Sequence, residues 1–486
     1  MSLFTLRPTE LPAHRPDPDK GSWPKGSFLR TKWGQTVLWW PQKNGGHHVS
    51  GEELDPYRLI GDTHIDEILE LLDKEKKPLG PGDDFFKVAD LAVRAEKPHR
   101  SPAEISLAAF MKKYSTLPSW VDVDQLRRGQ EVYLAYLPSA SMSLYYRSLV
   151  SGFSIPKIAA VIQATAYLVP PARPDQALQR LFDTGAFTSA CIGLGVDSIL
   201  PGGEGWKTAL YVRVLHAKVR RSLLKRKDAR KWNTNVYGVP INQEDMSATL
   251  LAFAVNVLDG IDIIAGKELP KLEKLDYLAL WRYLGWLLGV ETEGDIRRPG
   301  HRSNGELPPL DPCGPGRNKD GDPVRYSAAL LESFIDHLLE PDESSVIISH
   351  HLLKITDRKP PSTKLSEIPE EFYKNDLFYY RSYQCRRLIG DHIADALQLP
   401  YHPSLWKRCW HRIRSAVFMS LFRFYTLATM FLPFVRRKVI TWHTNGYKRF
   451  HDEWLKTHRT KMAKALATKE LATCIREGNG DDADGK

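Results

Sequence analysis

From residue 101 to about residue 470, apolar positions recur every three to four residues, the period of amphipathic helices, and strand-like alternation is weak throughout. The pattern predicts helices over 123–137, 140–151, 155–168, 175–193, 206–230, 243–265, 273–288, 328–338 and 388–397, with a last group from 406 to 470. An earlier helix is expected over 62–74, where Ile65, Ile68, Leu69 and Leu72 share one face. Ser101-Pro102-Ala103-Glu104 is a helix start: a capping hydroxyl, a proline at the first helical position and an acid at the third. Gly/Pro/Asp-rich sequence over 291–326 and prolines over 360–369 read as loops, and the acidic, Gly-rich tail 478–486 as disordered. The expectation is an all-α, large multi-helical single body. It divides into a partly irregular N-terminal extension over 1–100, a helical domain over 101–435, a C-terminal helix over 436–477 and the tail 478–486.

Composition narrows the function classes. A hydrophobic fraction of 42% with 13 Trp is ample for a sizeable core. The net charge of +10 suggests nucleic acid or an anionic membrane. The densest basic run, 220–227, lies on a predicted helix without any nucleic-acid motif, so a solvated helix face is the reading and no nucleic-acid partner is expected. Five cysteines, none in a CxxC pair, argue against a zinc ribbon and for a reducing, intracellular setting. Residues 1–25 hold no apolar stretch of the length a secretory signal needs. The segment 415–435, SAVFMSLFRFYTLATMFLPFV, is expected as a buried core helix. An interfacial helix with peripheral membrane contact is the alternative, because Arg436, Arg437 and Lys438 follow.

Candidate chemistry centres on 206–230. Val212, Leu215, Val219 and Leu223 form one stripe, His216 sits at its edge, and Arg213 and Arg220 flank His216. A histidine facing an apolar slot between two cations suits haem, whose iron needs one imidazole and whose propionates need positive charge. A satisfied core histidine is the plainer alternative. No HExxH supports zinc, and no CxxCH supports covalent haem. Over 175–193, Arg180, Thr184, Phe187 and Cys191 fall on one face, which could present hydrogen-bond donors to a ligand or simply let Thr184 bond back to its own helix. Pro240-Ile241-Asn242-Gln243 forms a turn into the next helix, and Asn242 and Gln243 could contact a loop or a ligand.

Together, Arg180-Leu-x-x-Thr184-x-x-Phe187, Val212-Arg213-x-x-His216-Ala-x-Val219-Arg220 and Pro240-Ile241-Asn242-Gln243 resemble, in order and spacing, the family of rubber oxygenase (latex-clearing protein) and the fungal oxygenase of mycophenolic acid biosynthesis. Trp281 to Gly289, Leu388-Ile389-Gly390 and Leu397 to Pro400 extend the resemblance, which spans roughly residues 105 to 435. It implies a helical fold around non-covalent haem b, His216 as the proximal iron ligand, and Arg180 and Thr184 beside the distal pocket. It also implies a dioxygenase that cleaves a double bond of a hydrophobic, unsaturated, terpenoid-like substrate with dioxygen; a haem- or lipid-binding protein without catalysis is the alternative. Two positions depart from the pattern: Asp183 stands where rubber oxygenases carry a lysine, and 162–165 reads Ile-Gln-Ala-Thr, with no match to the acid proposed there as a base.

Overall fold

A computed structural model describes residues 23–80, 84–94, 99–165, 174–227, 231–293, 307–316, 321–354 and 375–465, with backbone alone over 174–180 and 454–465. The described part opens on an antiparallel hairpin, β1 (Phe28–Lys32) and β2 (Gln35–Trp39). Helices follow: α1 (Gly51–Leu54), α2 (Thr63–Lys74), α3 (Phe85–Arg94), α4 (Pro102–Tyr114), α5 (Val123–Ala135), α6 (Leu137–Met142), α7 (Pro156–Ala164), α8 (Pro174–Thr188) and α9 (Glu204–Lys225). The remainder is α10 (Thr234–Tyr237), α11 (Gln243–Ala265), α12 (Lys271–Leu288), α13 (Pro323–Leu338), α14 (Glu343–Lys354), α15 (Asp376–Ile389), α16 (Asp391–Ala396), α17 (Leu405–Phe431) and α18 (Pro433–Ala465). The protein is all-α, as the periodicity required.

Local signals placed many of these boundaries. Ser101 caps α4 in a full capping box with Glu104, and Pro102 occupies the first turn. Two expected helices continue in a wider turn: Ser143–Val150 and Ser189–Gly193 are π-helical, a geometry often found near functional sites. The helix expected over 388–397 is instead two, because Gly390 takes φ 86° and redirects the chain. The last group is likewise broken: Leu432 separates α17 from α18, which starts at Pro433, and the two are bent by 113°.

The main core gathers residues from α2 to α13, including Trp206, Tyr277, Trp281, Tyr283 and Phe334. It also takes Leu54, Tyr57, Ile60, Ile65 and Phe85, so much of 49–94 is integral to the body rather than appended to it. Helix α11 is apolar enough to cross a membrane by composition, yet 72% of its apolar window is buried; it runs through the core and is greasy on all sides for that reason.

The expectation that 415–435 forms a buried core helix does not hold. Val417, Leu421, Phe424 and Phe431 point outward, while Ser415, Met419, Thr426 and Thr429 face the body. Hydrogen bonds decide this orientation: Thr426 Oγ1 meets Ser139 Oγ at 2.8 Å, and Arg387 donates to Ser415 Oγ at 3.0 Å.

Candidate active site

Helix α9 carries the candidate ligand, and two ion pairs hold it in place. Arg213 is fully buried and grips Asp62 through Nε (2.5 Å) and Nη2 (2.8 Å), with Nη1 reaching the Trp286 carbonyl at 3.5 Å. Its guanidinium also lies over the Tyr114 ring, 4.4 Å from the centroid. Burial pushes the Asp62 carboxyl up, but the charge and hydrogen bonds of Arg213, with the charges of Arg220 and His64, together outweigh it and hold the acid below its ordinary range. Two turns later, Arg220 donates from Nη1 to Asp66 at 2.9 Å and from Nη2 to the Ile241 carbonyl at 3.1 Å. Asp62 and Asp66 both belong to the start of α2, so this helix and α9 are clamped at two points.

His216 lies between the clamps. Its side chain is half-buried, and its Nδ1 is buried without a hydrogen-bond partner. Desolvation, with the Arg220 charge adding to it, lowers its pKa to about 4. The ring is therefore neutral at physiological pH, the form that coordinates metal. A satisfied core histidine would have a partner on that nitrogen, so the donor chemistry fits an imidazole kept available for a ligand.

The cations flanking His216 answer differently. The expectation that Arg213 anchors a propionate finds no support, because its fork is occupied by Asp62 and the charge is neutralised inside the protein. Arg220 retains one buried, unpartnered donor, Nε.

Helix α8 packs against α9 and brings Thr184 and Phe187, both half-buried, from the neighbouring element. The Arg180 side chain lies outside the described residues. The Thr184 carbonyl accepts from Thr188 Oγ1 at 3.0 Å. Asp183 is half-buried. Cys191 is fully buried in the π-helical turn, which takes it out of α-helical register with Thr184, and burial pushes its thiol up.

The segment Pro240 to Gln243 is a brace. Asn242 caps α11 by accepting from Asp245 N at 2.8 Å. Gln243 ties two other segments to α11: its Nε2 donates to the carbonyls of Gly61 (3.1 Å) and Gly289 (2.9 Å), and its Oε1 accepts from Glu291 N at 3.1 Å. Ile241 is held at φ 53°, a strained conformation for a β-branched residue, and its carbonyl is thereby aimed at Arg220. Gly289 sits against the first clamp at φ 94°; a Cβ there would lie 2.2 Å from Asp62 Oδ2.

Sequence reasoning missed Asp62, Asp66 and Glu244. Glu244, at the start of α11, is completely buried, and its Oε2 faces Arg58 Nε at 3.3 Å without hydrogen-bonding geometry. Burial, reinforced by neighbouring Asp245, raises Glu244 to about 9, and burial raises Asp245 itself to about 7. A buried arginine on an apolar helix signals that an acid must exist, but nothing local says which one.

Residues 156–424, more than half of the chain, match the family described as ER-bound oxygenase mpaB/B'/rubber oxygenase, catalytic domain, and the chain belongs to that family. Arg180, Thr184, Arg213, His216 and Arg220 all lie inside the matched region. Among solved structures, the chain is similar to latex clearing protein LCP in the closed state, with 17% identity over 80% of this chain and 91% of that one, and a TM-score of 0.49. No curated protein sequence matches it significantly.

Proposed function

We propose that this protein is a haem b-dependent oxygenase that uses dioxygen to cleave a double bond of a hydrophobic, unsaturated, terpenoid-like substrate, with His216 as the residue that would hold the iron. The observation that carries the reading is the neutral His216 ring with an unpartnered Nδ1, in a chain of the rubber-oxygenase family. The haem would supply the oxygen-activating and redox chemistry.

The protein's own part is positional. The Asp62–Arg213 and Asp66–Arg220 pairs fix the rotation of α9 and so the direction of His216. Desolvation keeps the imidazole unprotonated at neutral pH, the form that would coordinate iron. Arg180 and Thr184 on α8 are the candidates for orienting dioxygen or a developing carbonyl through hydrogen bonds. Arg220, with its remaining donor, is the better candidate of the two flanking arginines for a propionate. Asp183 is assigned no ligand role, because an anionic carboxylate would not take the place of the neutral amine that rubber oxygenases carry there.

The test is His216→Ala in the purified protein titrated with haem. The parent should bind haem with a sharp Soret band and the variant should lose it. Oxygen uptake with an unsaturated terpenoid should then follow haem content, and fall in Arg180→Ala and Thr184→Ala at unchanged haem content. An unchanged spectrum in His216→Ala would overturn the ligand assignment. Haem binding without oxygen uptake on any polyene would favour the non-catalytic ligand-binding alternative.

A further inference from the structure

Helix α17 is amphipathic in the inverse sense. A surface helix normally turns its apolar stripe inward. Here Trp406, Trp410, Ile413, Val417, Leu421 and Phe424 are spaced by three and four residues on one face, and all six are exposed, Trp406 and Phe424 by 75% and 74%. The face toward the body carries His411, Ser415, Thr426 and Thr429. Fixed hydrogen bonds prevent the helix from simply rotating: besides the Thr426 and Ser415 contacts, Tyr425 donates to the Ala135 carbonyl at 3.0 Å. The stripe continues past the bend through Phe431, Leu432 and Phe434, with exposed Trp442 beyond it on α18.

Charge says what covers this surface. Between Asp395 and Asp452 the chain contains ten Lys or Arg and no Asp or Glu, while the rest of the chain has 58 of each sign, since the totals are 68 and 58. The whole formal excess of +10 thus resides in the segment that bears the exposed stripe. Arg412, Arg414, Arg437 and Lys438 are exposed along it. A second copy of the chain would bring two such segments together and is disfavoured by repulsion. An anionic lipid surface matches both features, since it offers an apolar layer for the aromatic stripe beneath negative headgroups for the cations.

We infer that α17 and the start of α18 form a monotopic membrane-docking face, embedding the Trp406–Phe424 stripe and the elbow at Leu432 into one leaflet of an anionic bilayer. The helix lies in the plane of the membrane and does not cross it, because its inner face is bonded to the body along its length and the chain turns by 113° at its end. This inference does not depend on the haem reading.

The experiment is flotation of the full-length protein with phosphatidylcholine vesicles, with and without phosphatidylglycerol. Binding is expected with the anionic vesicles, weakening as salt is raised. Trp406→Ser/Phe424→Ser should lower apparent vesicle affinity by roughly tenfold or more, because the embedded apolar area drives insertion. Arg437→Glu/Lys438→Glu should weaken binding chiefly at low salt. Both variants should keep the parent's circular dichroism. No binding to anionic vesicles, or binding untouched by Trp406→Ser/Phe424→Ser, would overturn the proposal. So would a dimer in light scattering that the stripe variant dissolves without any vesicle binding, which would assign the face to self-association.

Discussion

Replacing Asp62 with alanine isolates the clamp that orients the candidate ligand. Arg213 is fully enclosed, and its only counter-charge is this one carboxylate; its other contacts, the Trp286 carbonyl at 3.5 Å and the rings of Tyr114 and Phe110, are neutral. Removing the acid leaves a buried cation without its counter-charge, which costs about 3–5 kcal/mol. Asp62 also caps α2, but its bond to Ile65 N is long, 3.5 Å, so the cap adds only about half a kcal/mol. Asp62→Ala should therefore destabilise the haem-free protein by about 4 kcal/mol. The double variant Asp62→Ala/Arg213→Met should recover most of this loss, because a methionine between Phe110, Tyr114 and Trp286 carries no charge to solvate. Urea denaturation followed by far-UV circular dichroism measures both. A loss below about 1 kcal/mol in the single variant, or a double variant no more stable than the single, would refute the argument that the pair is a self-contained structural clamp.

Gly289→Ala should act on the same clamp from the other side, through a φ of 94° and a Cβ only 2.2 Å from Asp62 Oδ2; a loss of about 3 kcal/mol by denaturation is expected, and a change under 1 would show that the loop yields freely. The raised Glu244 makes the folded state hold a proton that the unfolded chain releases, so this residue's contribution to stability should fall as pH rises from about 4.5 to about 9. Glu244→Gln should flatten that slope and stabilise the protein at pH 8.5 relative to pH 5, and melting curves that keep the parent's pH dependence would contradict it. His216 works in the opposite direction: with its pKa lowered to about 4, the unfolded chain binds the extra proton, and the haem-free protein should lose stability as pH falls from 6.5 to 4. His216→Phe should reduce that acid sensitivity in urea titrations at pH 4.5, and an unchanged acid limb would place its cause elsewhere.

Local order was legible in the chain itself. Period, caps and breakers place the helices from Val123 to Leu288 within a few residues, and Ser101 and Asn242 cap the helices they precede. The spacing of the three motifs singled out His216 and its neighbours. What surrounds them was not legible, because a charge names its need but not its partner: Asp62 lies 151 residues from Arg213, and any acid in the chain satisfies the same local rule. Nor does a sequence reveal that Ile241 must take a positive φ, a strain that only the surrounding contacts can impose. Helix α17 marks the boundary most clearly. Its period fixes which side chains share a face, since that follows from backbone geometry alone. Which face turns inward depends on what the rest of the chain offers it, and here a carbonyl of α5, a hydroxyl of α6 and a guanidinium of α15 draw the polar side to the body and leave the aromatic stripe outside.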